Sequence, residues 1–291
     1  MKIKHCTLLL ATLFAYCNLY AQPPGVKIGL ANTQMVYYPY DITQSDTLDT
    51  TMLTVGYLYS YFYEDIKEGS TPIEDVMTLQ VGESYTKFFS CNYHLMERNI
   101  AFREKNDIKI KQNYVGYEIY RDKGQSKYIV TQRLPFVSRM NNEAIRYEEK
   151  IPNIKWEVEE QSTTLLGYNC IKATAKVYGR EWSVWFTPEI PVLYGPWKLQ
   201  GLPGLILSAE DSEGEYSFTA YEITQEKQPI EMYGWRYKDM TKKKWLKYEK
   251  GMYDHPYFIF TKGGENPLFN VHTNEDMNES WTIPYNPIEL E

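Results

Sequence analysis

The chain has 291 residues, 31 Lys and Arg against 38 Asp and Glu, and a formal net charge of −7. An acidic chain lacks the clustered basic residues that contacts with nucleic-acid phosphates require, so we exclude a nucleic-acid partner. Tyrosine is the compositional excess: 27 Tyr bring the aromatic content to 15%, which is typical of a twisted sheet or of an aromatic binding surface.

The first residues predict an export signal. Lys2 and Lys4 precede an apolar run, Leu8–Tyr16, that is too short to span a bilayer, and the small residue Ala21 follows. We therefore expect a signal peptide at residues 1–21 that is cleaved near Ala21. The mature chain is expected to be exported, either periplasmic or associated with the outer membrane.

The cysteines leave two questions open. Cys17 lies in the predicted signal and makes a lipid anchor the alternative to soluble export, although the residue before it is bulky for that motif. Cys91 and Cys170 remain in the mature chain, where an oxidising compartment permits a disulfide between them. Two separate thiols are the alternative. The chain has no CxxC pair, so a thioredoxin-type or zinc site is not expected.

Most of the chain predicts strands. The stretch Asp41–Thr51 is polar and predicts a loop, and Met52–Tyr63 is rich in β-branched and aromatic residues and predicts a strand. Gly82–Ser84 and Asp122–Gly124 are expected to be hairpin turns. Further strands are predicted within Asp75–Phe89, Val115–Arg121, Tyr128–Leu134, Ile145–Tyr147, Ile154–Val158 and Tyr216–Ala220.

Two segments predict helices. Asn92–Lys105 is consistent with a short amphipathic helix, and Asp239–Gly251 predicts a longer one that begins at a capping Asp239 or Thr241. The expected fold is therefore mainly β, a β-rich α+β class with one or two helices. We expect a curved antiparallel sheet shaped like a half-barrel or bowl. No repeat or change in composition divides residues 22–291, which are expected to form a single domain.

The segment Leu165–Leu207 is the one around which we expect the fold to be organised. It predicts a hairpin that turns at Tyr178–Arg180, followed by alternating proline and glycine that exclude a long helix. Pro-Gly at 203–204 predicts a type II turn that leads into an apolar strand. Two interpretations remain: a reversal whose Leu202 and Leu205 are buried, or a lip that exposes both to a ligand.

A hexapeptide motif in this segment carries a family resemblance. Matching residues around it include Gly167, Tyr168, Cys170, Trp185 and Trp197, and the motif itself is Gly201, Leu202, Pro203, Gly204, Leu205 and Ile206. With these residues the chain resembles the GLPGLI family of exported proteins from Bacteroidetes, over about residues 35–291. The resemblance implies an exported protein of unassigned role, and it brings no catalytic residues to this chain.

The sequence contains none of the common motifs of catalytic or cofactor-binding sites. The sequence has no GxSxG elbow, phosphate-binding glycine loop, HExxH or dinucleotide fingerprint, so we assign no catalytic residue, metal or cofactor. If a binding surface exists, we expect it near the proline- and glycine-rich corner. The candidate binding residues are Trp182, Tyr194, Trp197, Leu202 and Leu205.

These observations leave two hypotheses about the function. The main hypothesis is a non-catalytic binding or chaperone-like module of the cell envelope, whose partner is an outer-membrane or other envelope component, a glycan or an apolar ligand. The alternative is a periplasmic hydrolase that acts on glycans or peptides. A deep pocket with two facing carboxylates would favour the hydrolase. A dry apolar trough would favour the binding module.

Overall fold

The computed structural model describes residues 42–62, 66, 69–98, 115–134, 143–255 and 282–291. The predicted signal peptide, its cleavage site and Cys17 lie outside these residues. No helix in the described part of the chain is long and apolar enough to cross a membrane.

The described residues form a large curved sheet that stays open, with two helices, which confirms the predicted fold class. The helices are α1 (Cys91–Arg98) and α2 (Lys242–Asp254). The strands are β1 (Ser45–Tyr61), β2 (Ile73–Gly82), β3 (Tyr85–Ser90), β4 (Tyr117–Asp122), β5 (Lys127–Arg133), β6 (Glu143–Lys150), β7 (Glu157–Leu165), β8 (Tyr168–Val177), β9 (Arg180–Thr187), β10 (Leu205–Asp211), β11 (Tyr216–Thr224), β12 (Pro229–Tyr233) and β13 (Arg236–Asp239).

Neighbouring strands follow the order β13-β6-β5-β4-β3-β2-β1-β11-β10-β9-β8-β7, and β12 pairs with the first part of β1. All described pairs are antiparallel except β13 with β6. The predicted loop at residues 41–51 is wrong from Ser45 onward, because this polar stretch is the beginning of β1. Its backbone pairs with β12 while most of its side chains stay accessible, so pairing and not hydrophobicity makes it a strand.

The predicted hairpin turns are confirmed between β2 and β3, β4 and β5, and β8 and β9. The predicted strand Ile154–Val158 is wrong in its first part, since β7 begins only at Glu157. The strand that follows is exposed, polar and at the end of the sheet, so it lacks the alternation of a half-buried strand.

Helix α2 begins one position after Thr241, whose side chain accepts a hydrogen bond from the Lys244 backbone N–H at 3.2 Å. Thr241 is therefore the capping residue of the two that were predicted. The helix packs against β6 and buries Trp245 and Met252. Many of the tyrosines pack in the sheet core; the rings of Tyr59 and Phe218, for example, stack at 4.6 Å.

Candidate ligand cavity

A cavity of about 180 Å³ lies where the sheet, α2 and the C-terminal segment 282–291 meet. Aromatic rings form a large part of its wall, because the sheet, the helix and the C-terminal segment each contribute at least one. The rings that matter here belong to Tyr61, Tyr117, Trp197, Trp245, Tyr253 and Tyr285. An apolar concave surface with few polar groups is the usual form of a small-molecule site.

The C-terminal segment is fixed as one wall of this cavity. The Ile283 N–H donates to the Tyr253 carbonyl at 2.9 Å, which attaches the segment to α2. Arg180, at the start of β9, donates to the Asn286 side-chain oxygen at 2.7 Å and to the Pro287 carbonyl at 2.9 Å. Because backbone and side-chain bonds both hold the segment, the Tyr285 ring that it carries has a defined position.

Glu249 is the carboxyl group of α2 that lines the cavity. It is half-buried, and the Tyr285 hydroxyl donates a hydrogen bond to it at 3.0 Å. Burial raises the pKa of Glu249 to about 7, although the hydrogen bond from Tyr285 acts in the opposite direction. The group therefore carries its proton in slightly acidic solution and can then donate as well as accept a hydrogen bond.

A second group of charges adjoins the cavity, and it consists of Lys198, Lys242, Glu149 and Glu289. Lys198 is paired with one oxygen of each glutamate. Lys242 is paired with the other two oxygens, at 2.8 Å for Glu149 and 2.5 Å for Glu289. Two positive and two negative charges thus neutralise one another, and both oxygens of Glu289 are engaged by ammonium groups.

The residues predicted to bind a ligand do not form one surface. Trp182, Leu202 and Leu205 are buried in the core, with 1%, 2% and 0% of their surface exposed, so the buried reversal is the correct interpretation of this corner. Trp197 is also buried but lines the cavity. Tyr194 lies apart from it, half-buried beside a small recess.

The corner is built differently from the predicted type II turn. Gly204 does not have a positive φ, and its N–H donates to the Leu202 carbonyl at 2.8 Å, which closes a three-residue turn around Pro203. Glycine is required at 204 because a Cβ there would lie 2.2 Å from the Thr187 carbonyl oxygen. Close approach of two backbones, not φ, therefore explains this glycine.

Cys91 and Cys170 are both buried and unbonded to each other, so the alternative of two separate thiols is the one observed. The first begins α1, directly after β3, and the second lies in β8, which is several strands away from β3 in the sheet. Burial raises the pKa of both thiols, which keeps them protonated and unreactive.

Glu249 was not among the predicted binding residues, although the sequence contains a signal for it. Trp245, Glu249 and Met252 are spaced i, i+4 and i+7, so the glutamate lies on the same helix face as the two buried apolar residues. A carboxyl group on an apolar face is a candidate for a shifted pKa. Within the described ranges, no three His, Cys, Asp or Glu residues are placed to hold a metal.

Comparison with solved structures finds PNGF-II, in its P21 and C2 crystal forms, with TM-scores of 0.46 and 0.45 and identities of 15% and 16%. The match covers 68% of this chain and 32% of PNGF-II, so the chain spans about a third of the length of that protein. No curated protein matches the sequence.

A family model matches residues 97–250, and its description is "N-glycanase peptide, N-terminal domain". The matched region includes Glu249, Trp197 and the strands from β4 to β13. Because the match spans more than half of the 291 residues, the chain belongs to the family of the N-glycanase N-terminal domain.

Proposed function

We propose that this chain is an exported, glycan-directed protein and that the aromatic cavity is the place where it holds a sugar. The single observation that carries the proposal is a cavity walled by tyrosine and tryptophan rings, in a member of an N-glycanase domain family. One of its lining carboxyl groups, Glu249, has no ion pair among the described residues. Aromatic rings offer flat apolar faces on which a sugar ring can stack, and a carboxyl group can orient the sugar by hydrogen bonds to its hydroxyl groups. Family membership favours this hypothesis over a chaperone-like module.

The size of the cavity limits what it can take. Its volume of about 180 Å³ lies below the roughly 300 Å³ at which pockets for drug-sized ligands begin. One sugar residue, or one end of a longer chain, therefore fits the volume better than an enclosed oligosaccharide does.

Hydrolysis is the second candidate function, and one observation favours it. Glu249 and Glu289 line the same cavity, and glycosidases use two carboxyl groups, one protonated and one ionised. However, both oxygens of Glu289 are paired with lysines, which leaves that carboxylate poorly placed to activate water or attack a sugar. We therefore propose binding as the action of this domain.

The sequence supports two further parts of the proposal. Lys2, Lys4 and the apolar run Leu8–Tyr16 favour export, and the hexapeptide at 201–206 favours membership of the GLPGLI family. The proposed partner is accordingly a glycan-bearing component of the cell envelope. Determination of the N-terminal residue of the secreted protein would test cleavage near Ala21, and an intact Met1 would contradict it.

Calorimetric titration with an N-glycosylated peptide and with the same peptide after removal of the glycan tests the function. We expect heat only from the glycosylated peptide. Leu246, half-buried on α2, lines the cavity, so Leu246→Trp would fill it and weaken binding by about tenfold or more. Leu193→Trp is the matched control, because Leu193 is 53% exposed and lies outside the cavity.

Equal binding of both peptides, or none of either, would contradict the proposal. Mass spectrometry of the glycosylated peptide after incubation separates the two candidate functions, since an unchanged mass is expected for a binding domain and a shortened glycan or peptide for a hydrolase.

A further inference from the structure

We propose that the cavity accepts one uncharged sugar residue, that a hydroxyl group of this residue hydrogen-bonds with the Glu249 carboxyl, and that ionisation of Glu249 releases the ligand. The inference rests on the function proposed above and adds to it a charge preference and a pH-dependent affinity. The grounds are the pairing of charges around the cavity, the groups that face Glu249, and the state of its proton.

The charges around the cavity disfavour an anionic ligand. Lys198 is the cationic side chain among the described residues that line the cavity, and its ammonium group is already paired with Glu149 and Glu289. An acidic sugar would bring its carboxylate toward Glu249 without a free cation to neutralise either group. Buried charges without partners are strongly unfavourable, so selection for neutral ligands follows from the pairing.

The groups that face Glu249 come from two parts of the chain, the C-terminal segment and the corner before β10. Tyr285, on the C-terminal segment, donates to it at 3.0 Å. Glu289 on the same segment repels its negative form, and Lys198, from the corner before β10, attracts it. Burial exceeds these effects and sets its pKa at about 7.

The protonation state then decides whether a ligand can enter. A protonated Glu249 accepts from Tyr285 with one oxygen and can donate from the other to a sugar hydroxyl, with no charge to solvate. An ionised Glu249 needs water, and a ligand that fills the cavity would remove that water. Affinity should therefore be highest below about pH 7 and should decrease as the pH rises beyond it.

The test uses two matched probes, methyl β-glucoside and methyl β-glucuronide, which differ by one carboxylate. Fluorescence of Trp197 and Trp245 reports occupation of the cavity, and calorimetry reports binding anywhere on the protein. We expect the affinity for the glucoside to decrease by up to about tenfold per pH unit between about pH 7 and about pH 8.5. The glucuronide should bind at least about tenfold more weakly at every pH.

Two variants at the carboxyl group show whether Glu249 is the titrating residue. Glu249→Gln stays uncharged, so its affinity for the glucoside should not depend on pH. Tyr285→Phe removes a hydrogen bond that lowers the pKa of Glu249, so the decrease should begin at a higher pH. Tyr248→Phe is the control, since this α2 tyrosine is 38% exposed and is not part of the cavity wall.

A pH-independent affinity of the unaltered protein, a pH-dependent affinity of Glu249→Gln, or equal binding of both probes would each overturn this inference while glycan binding stands. Absence of binding by calorimetry to either probe and to the glycosylated peptide would overturn the proposed function as well. NMR titration of the Glu249 carboxyl adds an independent check: saturation with the glucoside should raise its pKa, and an unchanged value would contradict the inference.

Discussion

Two of the regions in which the described residues bury charged groups compensate those charges in different ways. The first, here called the Arg133 cluster, consists of Lys87, Glu97, Glu118 and Arg133. Arg133 is paired with Glu97 at 2.7 Å and with Glu118 at 3.0 Å, and Lys87 is paired with Glu118 at 3.3 Å. The exposed fraction of each side chain is 2% or less. The second region is the cavity, where Glu249 is the carboxyl group in question.

Aromatic rings contact both cations of the Arg133 cluster. The Arg133 guanidinium lies 4.8 Å from the centre of the Tyr93 ring and 4.5 Å from that of Trp235, and the Lys87 ammonium lies 4.1 Å from that of Tyr233. Such contacts stabilise a cation that has lost its water. The charges of the cluster are therefore compensated by counter-charges and by the rings around them.

Glu249 differs from Glu118, a carboxyl group of the Arg133 cluster, in what determines its pKa. Burial raises the pKa of Glu118 as well, but Lys87 and Arg133 outweigh burial and hold it below its ordinary value. Glu249 has no ion pair within the described residues, and burial prevails. A buried carboxylate with its counter-ions supports the fold, whereas a carboxyl group beside an open volume can serve a ligand.

The largest effect is expected from Arg133→Met, which tests the structural role of its cluster. The change leaves Glu97 and Glu118 buried without their main counter-ion, so the free energy of unfolding should decrease by about 3–5 kcal/mol. Urea denaturation measures it. A decrease below about 1 kcal/mol would show that the cluster is as accessible as a surface pair and would remove the contrast with the cavity.

Glu249→Gln tests whether the Glu249 carboxyl is buried beside the cavity, because burial makes the stability of the protein depend on pH. The pKa is raised from 4.5 to about 7 on folding, so the ionised carboxylate destabilises the folded state. The unaltered protein should therefore lose up to about 3 kcal/mol as the pH rises from about 4.5 to about 7. The variant should lack the contribution of Glu249 to this loss, although Asp75, whose pKa burial raises to about 6, still destabilises the folded state over part of the range. Urea denaturation across this range measures it.

Glu181→Gln, at an exposed strand position, is the control for that experiment. Its stability should follow that of the unaltered protein at every pH. If Glu249→Gln did the same, the carboxyl group would be solvated in the folded state and its burial beside the cavity would be refuted.

Tyr117→Phe and Tyr216→Phe compare an unpaired and a paired hydroxyl group in the cavity wall. The Tyr117 hydroxyl is inaccessible and has no hydrogen-bond partner among the described residues, whereas the Tyr216 hydroxyl nearby donates to the Asn286 carbonyl. Removal of an unpaired hydroxyl should raise the melting temperature and stabilise the fold by about 1 kcal/mol. Tyr216→Phe should destabilise it by about the same amount, and a loss from both changes would contradict the assignment.

The smallest effect is expected at the surface. Arg146 is paired with Asp239 at 2.7 Å, but 36% and 68% of the two side chains remain exposed. Arg146→Met should change the free energy of unfolding by less than about 1 kcal/mol, since solvent screens such pairs. A change as large as that of Arg133→Met would mean that burial does not distinguish the two arginines.

Local patterns determined much of the fold. Aromatic and β-branched runs marked strands, and glycine with its polar neighbours marked the turns at Gly82–Ser84, Asp122–Gly124 and Tyr178–Arg180, because these signals depend on adjacent residues only. The sequence restricted the cap of α2 to Asp239 or Thr241 for the same reason, and the structure shows that it is Thr241. The beginning of β1 was not predictable, because β12, which pairs with it, lies about 180 residues later in the chain.

The candidate site depended on tertiary structure. The sequence alone determined an acidic, tyrosine-rich, strand-forming chain, whereas the need for glycine at position 204 arises from the approach of Thr187 in the folded chain. It did not show that α2 and the segment 282–291 meet over the sheet, so it did not separate Glu249 from the other carboxylates. Burial and pairing set the properties of a carboxyl group, and both arise only when distant parts of the chain pack together.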